Sequence, residues 1–95
     1  MVKGELESLR ITLEAAETGV LGYVYLQEIE DGDVARTVEV CPAVMADYDR
    51  GGRLLGIEFL HAELADGALM RELARRLNHP ELSGIDLAEM CRTAA

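Results

Sequence analysis

Apolar and polar residues alternate along much of the first sixty positions of the chain, as they do in β-strands with one buried face. From Leu9 to Glu14 every second residue is apolar, which predicts a first strand. Gly19 then favours a reversal of the chain. The first two strands are therefore expected to form a hairpin.

The second predicted strand, Val20–Gln27, is apolar on both faces. Valines and Leu26 lie on one side, and Leu21, Tyr23 and Tyr25 lie on the other. A strand that is apolar on both sides needs cover on both sides. We expect the C-terminal helix to bury the tyrosine side, and the alternative is an exposed platform on which a ligand could stack.

A third strand is predicted at Val34–Val40. The Asp31-Gly32 pair before it is typical of a tight turn. Pro42 ends the strand because proline cannot donate a hydrogen bond to a neighbouring strand.

The range Val44–Leu60 predicts two further strands that fold back on each other. Its turn, Asp49–Gly52, fits a type I turn with Gly52 in a left-handed bulge position, which pairs Asp49 with Arg53.

This turn also predicts a register for the hairpin. Asp47 is expected opposite Leu55, and Val44 opposite Glu58. Glu58 then lies on the opposite face of the sheet from Asp47.

After residue 62 the apolar period changes to that of a helix. Leu69, Leu73 and Leu77 recur every fourth position, and Asp66 is placed as the N-cap. A second short helix is predicted from a capping box at Ser83–Asp86.

The predicted elements amount to one α+β domain over residues 1–95. An antiparallel β-meander of about five strands occupies residues 9–60, and a tail with two C-terminal helices occupies residues 62–95. A chain of this length supports a single core.

The charge of the chain narrows the class of partner. The sequence has 18 acidic and 9 basic residues, a formal net charge of −9. Nucleic acids and anionic membrane surfaces are bound by clustered Lys and Arg, so we expect no nucleic acid and no membrane as partner. A basic protein or a cation fits this charge, and so does a charge that serves only solubility.

Targeting signals are not evident in the sequence. The first ten residues contain no apolar signal segment, and no later stretch approaches the ~20 apolar residues of a membrane span. We therefore expect a cytoplasmic location.

Four side chains are candidates for cation binding or acid–base chemistry: Asp47, Asp49, Glu58 and His61. Each also has a structural explanation. Asp49 would cap the turn, Asp47 would be solvated, Glu58 would pair with a basic residue, and His61 would lie on the surface. We assign no metal, cofactor or catalytic residue.

Cys41 and Cys91 lie far apart and match no metal-ligand or redox spacing. Free thiols that fill a core or an interface are the expected state.

The segments Asp47-Tyr48-Asp49 and Gly52-Arg53-Leu54-Leu55-Gly56-Ile57-Glu58 together resemble a motif of the small prokaryotic domains called domain of unknown function 2283 (DUF2283). The looser segments 14–21 and 23–26 extend this resemblance to about residues 9–60. The resemblance implies a compact, self-associating antiparallel sheet and no established reaction. Some relatives lie beside toxin-like genes, which implies an antitoxin-like role as one possibility.

These observations favour a non-enzymatic protein-interaction module that self-associates as a homodimer. The predicted interface residues are Tyr23, Tyr25, Leu69, Leu73 and Leu77. The alternatives are a domain or enzyme that binds a small ligand or cation, and an antitoxin-like partner of a basic toxin.

Overall fold

The computed structural model describes residues 9–93 and contains the five strands and two helices that the sequence predicts. The elements are β1 (Arg10–Ala16), β2 (Gly19–Tyr25), β3 (Arg36–Cys41), β4 (Val44–Tyr48), β5 (Leu54–Phe59), α1 (Gly67–Arg76) and α2 (Leu87–Thr93). Short 3₁₀ turns precede the two helices, at Ala62–Leu64 and Pro80–Gly84. The predicted α+β arrangement is confirmed.

The strands form one antiparallel sheet in the order β1-β2-β5-β4-β3. This order differs from a simple meander, because β5 lies between β2 and β4 and the connection after β2 crosses to the far edge. The burial of the strands explains the difference. β5 is almost entirely buried and takes the centre, whereas β3 is mostly exposed and takes an edge.

The turn between β4 and β5 has the predicted conformation. The Asp49 N–H donates to the Arg53 carbonyl over 2.9 Å, and Gly52 has a φ of +89°. The Asp49 side chain also accepts a hydrogen bond from the Arg53 N–H over 2.8 Å. Asp49 therefore caps the turn, as expected.

The predicted register of this hairpin is wrong by one residue. Val44 pairs with Phe59 instead of Glu58, and Asp47 pairs with Gly56. The cause is an irregularity beyond Asp47, where β5 contributes one more residue than β4. A shift of one residue exchanges the two faces, so Asp47 and Glu58 lie on the same face of the sheet.

Both helices cover one face of the sheet. The core joins sheet residues to residues of the tail: Val24, Ile57, Phe59, Met70, Leu73, Leu82 and Leu87. The tail thus packs on its own sheet. Because Val24 faces this core, its neighbours Tyr23 and Tyr25 point the other way, and the expectation that the helix covers them is wrong.

The leucine stripe of α1 faces the core, as its period predicts. Leu73 is fully buried, and Leu69 and Leu77 are half-buried against it. Asp66 caps this helix by accepting a hydrogen bond from the Leu69 N–H over 3.0 Å.

The second helix starts later than predicted. Asp86 is the cap, because its carboxylate accepts a hydrogen bond from the Glu89 N–H over 2.9 Å, and α2 begins at Leu87. Ser83 instead donates its hydroxyl to the Pro80 carbonyl over 2.7 Å. Residues Pro80–Gly84 form a 3₁₀ turn. Ser83 lies inside this turn and therefore does not cap α2. Neither helix is long and apolar enough to cross a membrane.

Candidate functional site

The helices cover one face of the sheet, and we call the other face the open face. The strand register places the following side chains on it: Arg10, Thr12, Glu14, Leu21, Tyr23, Tyr25, Thr37, Glu39, Met45, Asp47 and Glu58. This set combines aromatic and apolar groups with carboxylates, and Arg10 is its basic member among the described strands.

Tyr23 lies at the centre of the open face, across Gly56 of the neighbouring strand. A Cβ atom added at Gly56 would lie 2.6 Å from the Tyr23 hydroxyl oxygen, so the absence of a side chain there makes room for the ring. The hydroxyl donates a hydrogen bond to Asp47 Oδ2 over 2.7 Å. The ring is therefore held between two strands.

Asp47 joins three strands through its carboxylate. Its second oxygen, Oδ1, accepts a hydrogen bond from the Thr37 hydroxyl over 2.6 Å. Asp47, which was expected to be solvated, is half-buried, and both of its carboxylate oxygens also have protein donors. Burial, and then the hydrogen bond and charge of Asp47, raise the pKa of Tyr23 above its ordinary value. Tyr23 is therefore a fixed hydrogen-bond donor near neutral pH.

Glu58 borders a cleft on the β1 side of Tyr23. It stands directly opposite Tyr23 in the register and is half-buried. The cleft has a volume of about 420 Å³, and its lining residues are Thr12, Leu13, Glu14, Leu21, Gly22, Tyr23 and Glu58. Its polar rim carries two carboxylates beside an aromatic ring, which suits a long side chain with a positive end.

A second cleft lies on the other side of Tyr23. It has a volume of about 370 Å³ and is formed by the two tyrosines and the β2–β3 connection, with Ile29, Glu30, Asp31, Gly32 and Val34. The rings of Tyr23 and Tyr25 lie 4.6 Å apart between centroids. The Arg10 guanidinium lies 4.0 Å from the centroid of Tyr25. This contact shows that a tyrosine of the open face accepts a guanidinium on its ring.

The four candidates from the sequence are not all brought together. Asp47 and Glu58 share the open face, whereas Asp49 stays in its turn. His61 pairs with Glu63, with 3.3 Å between His61 Nδ1 and Glu63 Oε2. Among residues 9–93, no group of three or more His, Cys, Asp or Glu side chains is arranged to hold a metal ion.

Glu63 ties the first 3₁₀ turn to the sheet. Its carboxylate accepts a hydrogen bond from the Val20 N–H over 2.8 Å. This bond, and to a smaller extent the contact with His61, lowers the pKa of Glu63. A similar pair follows later in the chain, where His79 Nδ1 lies 3.2 Å from Glu81 Oε2. Both pairs hold turns of the chain and lie away from the open face.

Both cysteines are free thiols and half-buried. Cys41 ends β3, and Cys91 lies on α2. Burial, and then the negative charge of Glu63, raise the pKa of the Cys91 thiol. The thiolate that a nucleophile requires is therefore disfavoured at Cys91.

The predicted interface residues divide between the two sides of the sheet. Tyr23 and Tyr25 lie on the open face, where a partner could reach them. Leu69, Leu73 and Leu77 lie in or against the core of the chain itself. The packing of these leucines is thus explained without a second molecule.

Sequence reasoning missed several residues of the site. Thr12 and Glu14 could have been found, since alternation in β1 and a short hairpin place them beside Tyr23 and Leu21. Thr37 could not have been found in this way, because an irregularity between Glu39 and Cys41 shifts the register of β3 against β4, and only the shifted register sets Thr37 opposite Asp47.

Comparison with known proteins supports the family resemblance. The model of a family described as "Protein of unknown function (DUF2283)" matches residues 22–63. These residues run from β2 through β5 to the 3₁₀ turn after it, and they include the whole hairpin motif. The resemblance drawn for residues 14–21 lies before the matched range. The searches of curated proteins and of solved structures gave no match.

Proposed function

We propose that this chain, whose residues 22–63 match the model of the DUF2283 family, works as a non-enzymatic protein-interaction module that binds a basic partner protein through its open face. One observation carries the proposal. The helices cover one side of the sheet, while the other side presents two adjacent tyrosines with carboxylates around them. Tyrosine is enriched in protein interfaces because its ring offers a large contact area and its hydroxyl a polar contact.

The first cleft suits a lysine or arginine side chain. The aliphatic part of such a side chain would pack on Leu21 and the ring of Tyr23, and its charge would meet Glu14 and Glu58. The negative charge of the whole chain would speed the encounter with a basic protein.

The hydrogen bonds that hold Tyr23 in place support binding further. Tyr23 is held by Asp47, which is held in turn by Thr37. A side chain that is already ordered loses less conformational entropy when a partner binds. The Tyr23 side chain is thus preorganised for contact with a partner.

Self-association stays part of the proposal, but it fits another surface better. Two open faces laid on each other would place Glu14, Asp47 and Glu58 of both copies in one interface, six carboxylates in all. Like charges in such contacts cost affinity. The open face is therefore better suited to a basic partner than to a second copy.

The cation-binding or enzymatic alternative has less support. Both carboxylate oxygens of Asp47 accept hydrogen bonds from protein groups, and Asp49 caps a turn. The raised pKa of Tyr23 keeps its hydroxyl protonated near neutral pH, so it does not supply a base. A basic toxin would have the charge that the open face requires, so the antitoxin-like role stays a prediction within this proposal.

The test is capture of partners from a lysate of the source organism with immobilised protein. We compare the wild type with Glu58→Gln on the open face and with Glu72→Gln on the exposed side of α1. Both substitutions remove one negative charge. We expect a basic protein to be captured by the wild type and by Glu72→Gln, and to be lost with Glu58→Gln and with Tyr25→Ala.

Equal capture by all variants would show that the open face is not the binding surface. Capture of an acidic or neutral protein would contradict the proposed chemistry of the partner. Thermal unfolding of each variant shows whether the fold is kept, since both glutamates are partly or fully exposed.

A further inference from the structure

The strand β1 forms one edge of the sheet. It pairs with β2 on its inner side, and within residues 9–93 no strand pairs with its outer side. Its pairing with β2 is regular over seven residues, whereas β3 at the opposite edge has an irregularity between Glu39 and Cys41. A regular edge strand is a template for another strand, and a bulge impairs such pairing.

The hydrogen bonds of β2 show which backbone groups of β1 point outward. The Val20 N–H donates to Glu63, and the Leu26 N–H, just after β2, donates to the Leu55 carbonyl. The backbone N–H and C=O groups of even-numbered residues in β2 therefore point away from β1. The odd-numbered residues of β2 therefore bond to their partners in β1, which have even numbers. The N–H and C=O groups of Ile11, Leu13 and Ala15 consequently point to the outer edge.

The charges on β1 favour a second copy of the same strand. Arg10 and Glu14 lie four residues apart, so both side chains are on the open face, with Thr12 midway between them. In an antiparallel pair of identical strands with Thr12 opposite Thr12, each Arg10 stands opposite Glu14 of the second copy. The same register pairs Ile11 with Leu13 of the second copy, as the outward hydrogen-bonding groups require.

Other registers lack this match. A shift of the two strands by two residues sets Thr12 opposite Glu14 of the second copy. A shift by two more residues sets the two Glu14 side chains opposite each other, where their like charges repel. Arg10 lies over the ring of Tyr25, and a guanidinium that stacks on a ring can also bond a carboxylate through its N–H groups.

We propose that the chain dimerises by antiparallel pairing of β1 with β1 of a second copy, with Thr12 on the two-fold axis. The two sheets then form one continuous sheet, and the clefts beside Glu14 and Tyr23 lie side by side on its open face. The dimer uses the outer edge of β1, whereas the basic partner is proposed to bind the open face, and Glu14 belongs to both surfaces. Glu58 lies outside β1, so the Glu58→Gln variant tests the partner surface separately from the dimer.

Charge reversal tests the pairing in the full-length chain. Arg10→Glu places Glu opposite Glu, and Glu14→Arg places Arg opposite Arg, so each variant alone should dimerise at least ~10-fold more weakly than the wild type. An equimolar mixture of the two variants restores opposite charges at both contacts. We expect sedimentation velocity to show a dimer for the wild type and for the mixture, and a monomer for each variant alone at the same concentration.

Arg36→Glu at the β3 edge is the matched control, since Arg36 also lies over a tyrosine ring, 4.8 Å from the centroid of Tyr48. It should dimerise like the wild type, with circular dichroism confirming its fold. A monomeric wild type at micromolar concentration would overturn the proposal. A dimer that persists in both single variants, or a mixture that stays monomeric although both variants are folded, would overturn it as well.

Discussion

Replacing Gly56 by alanine should destabilise the protein, because the added methyl group would collide with Tyr23. A Cβ atom at Gly56 would lie 2.6 Å from the hydroxyl oxygen of Tyr23 and 2.8 Å from the ring carbon that carries it. Gly56 does not have a positive φ, so its backbone accepts alanine without strain. The collision with the ring is therefore the main effect of the substitution.

The expected magnitude follows from three contributions. Forcing a methyl group into a packed contact costs ~1–3 kcal/mol, and displacing the ring also removes the hydrogen bond from Tyr23 to Asp47, worth about 1 kcal/mol. The change from glycine to alanine restricts the unfolded chain and returns ~0.4–1 kcal/mol. The sum is a loss of about 2 kcal/mol, or roughly 10 °C in Tm for a domain of this size.

The assay is urea unfolding of a double-mutant cycle with Gly56→Ala and Tyr23→Val. In the Tyr23→Val background the collision is gone, so Gly56→Ala should be neutral or slightly stabilising there. The coupling energy between the two sites should then be about 2 kcal/mol. Equal effects of Gly56→Ala in both backgrounds would refute the role assigned to the Tyr23 ring.

Two further predictions concern the pKa of Tyr23 and the start of α2. Because the folded state raises the pKa of Tyr23, its contribution to stability is complete below the unfolded pKa of about 10 and is lost as the pH rises further. Urea midpoints should thus fall more steeply above pH ~10 for the wild type than for Tyr23→Phe, and parallel curves would contradict this. Asp86→Ala should cost about 1 kcal/mol through the lost N-cap, while Ser83→Ala should cost clearly less in the same unfolding assay. A larger loss for Ser83→Ala would restore the capping box as the start of the helix.

Local features of the fold were predictable from short stretches of sequence. The Asp49–Arg53 turn needs only a glycine that accepts a positive φ and an aspartate that bonds to the backbone nearby. The cap at Asp66 has the same local character. The two faces of β2 also followed from alternation, which separates Val24 from Tyr23 whatever the rest of the chain does.

The register of the β4–β5 hairpin was not predictable in this way. The turn alone sets Asp47 opposite Leu55, but β5 holds one more residue than β4 in this region. This irregularity turns Ile57 and Phe59 toward the core. The free energy gained by burying these two large side chains depends on the helices that cover them. The sequence of the hairpin alone therefore does not predict it.

The sequence by itself determined the elements, their alternating faces, the Asp66 cap, the Asp49–Arg53 turn and the acidic character of the chain, because these depend on neighbours along the backbone. Only the tertiary structure decided which face of β2 received the helices, since that choice depends on which apolar side chains of β5 line up with Val24. It also decided the contacts of Asp47, because β3 and β2 approach that residue from opposite sides only after the strands take their order in the sheet. The open face is built from contacts between residues that are distant in sequence. It therefore exists only once the sheet is assembled.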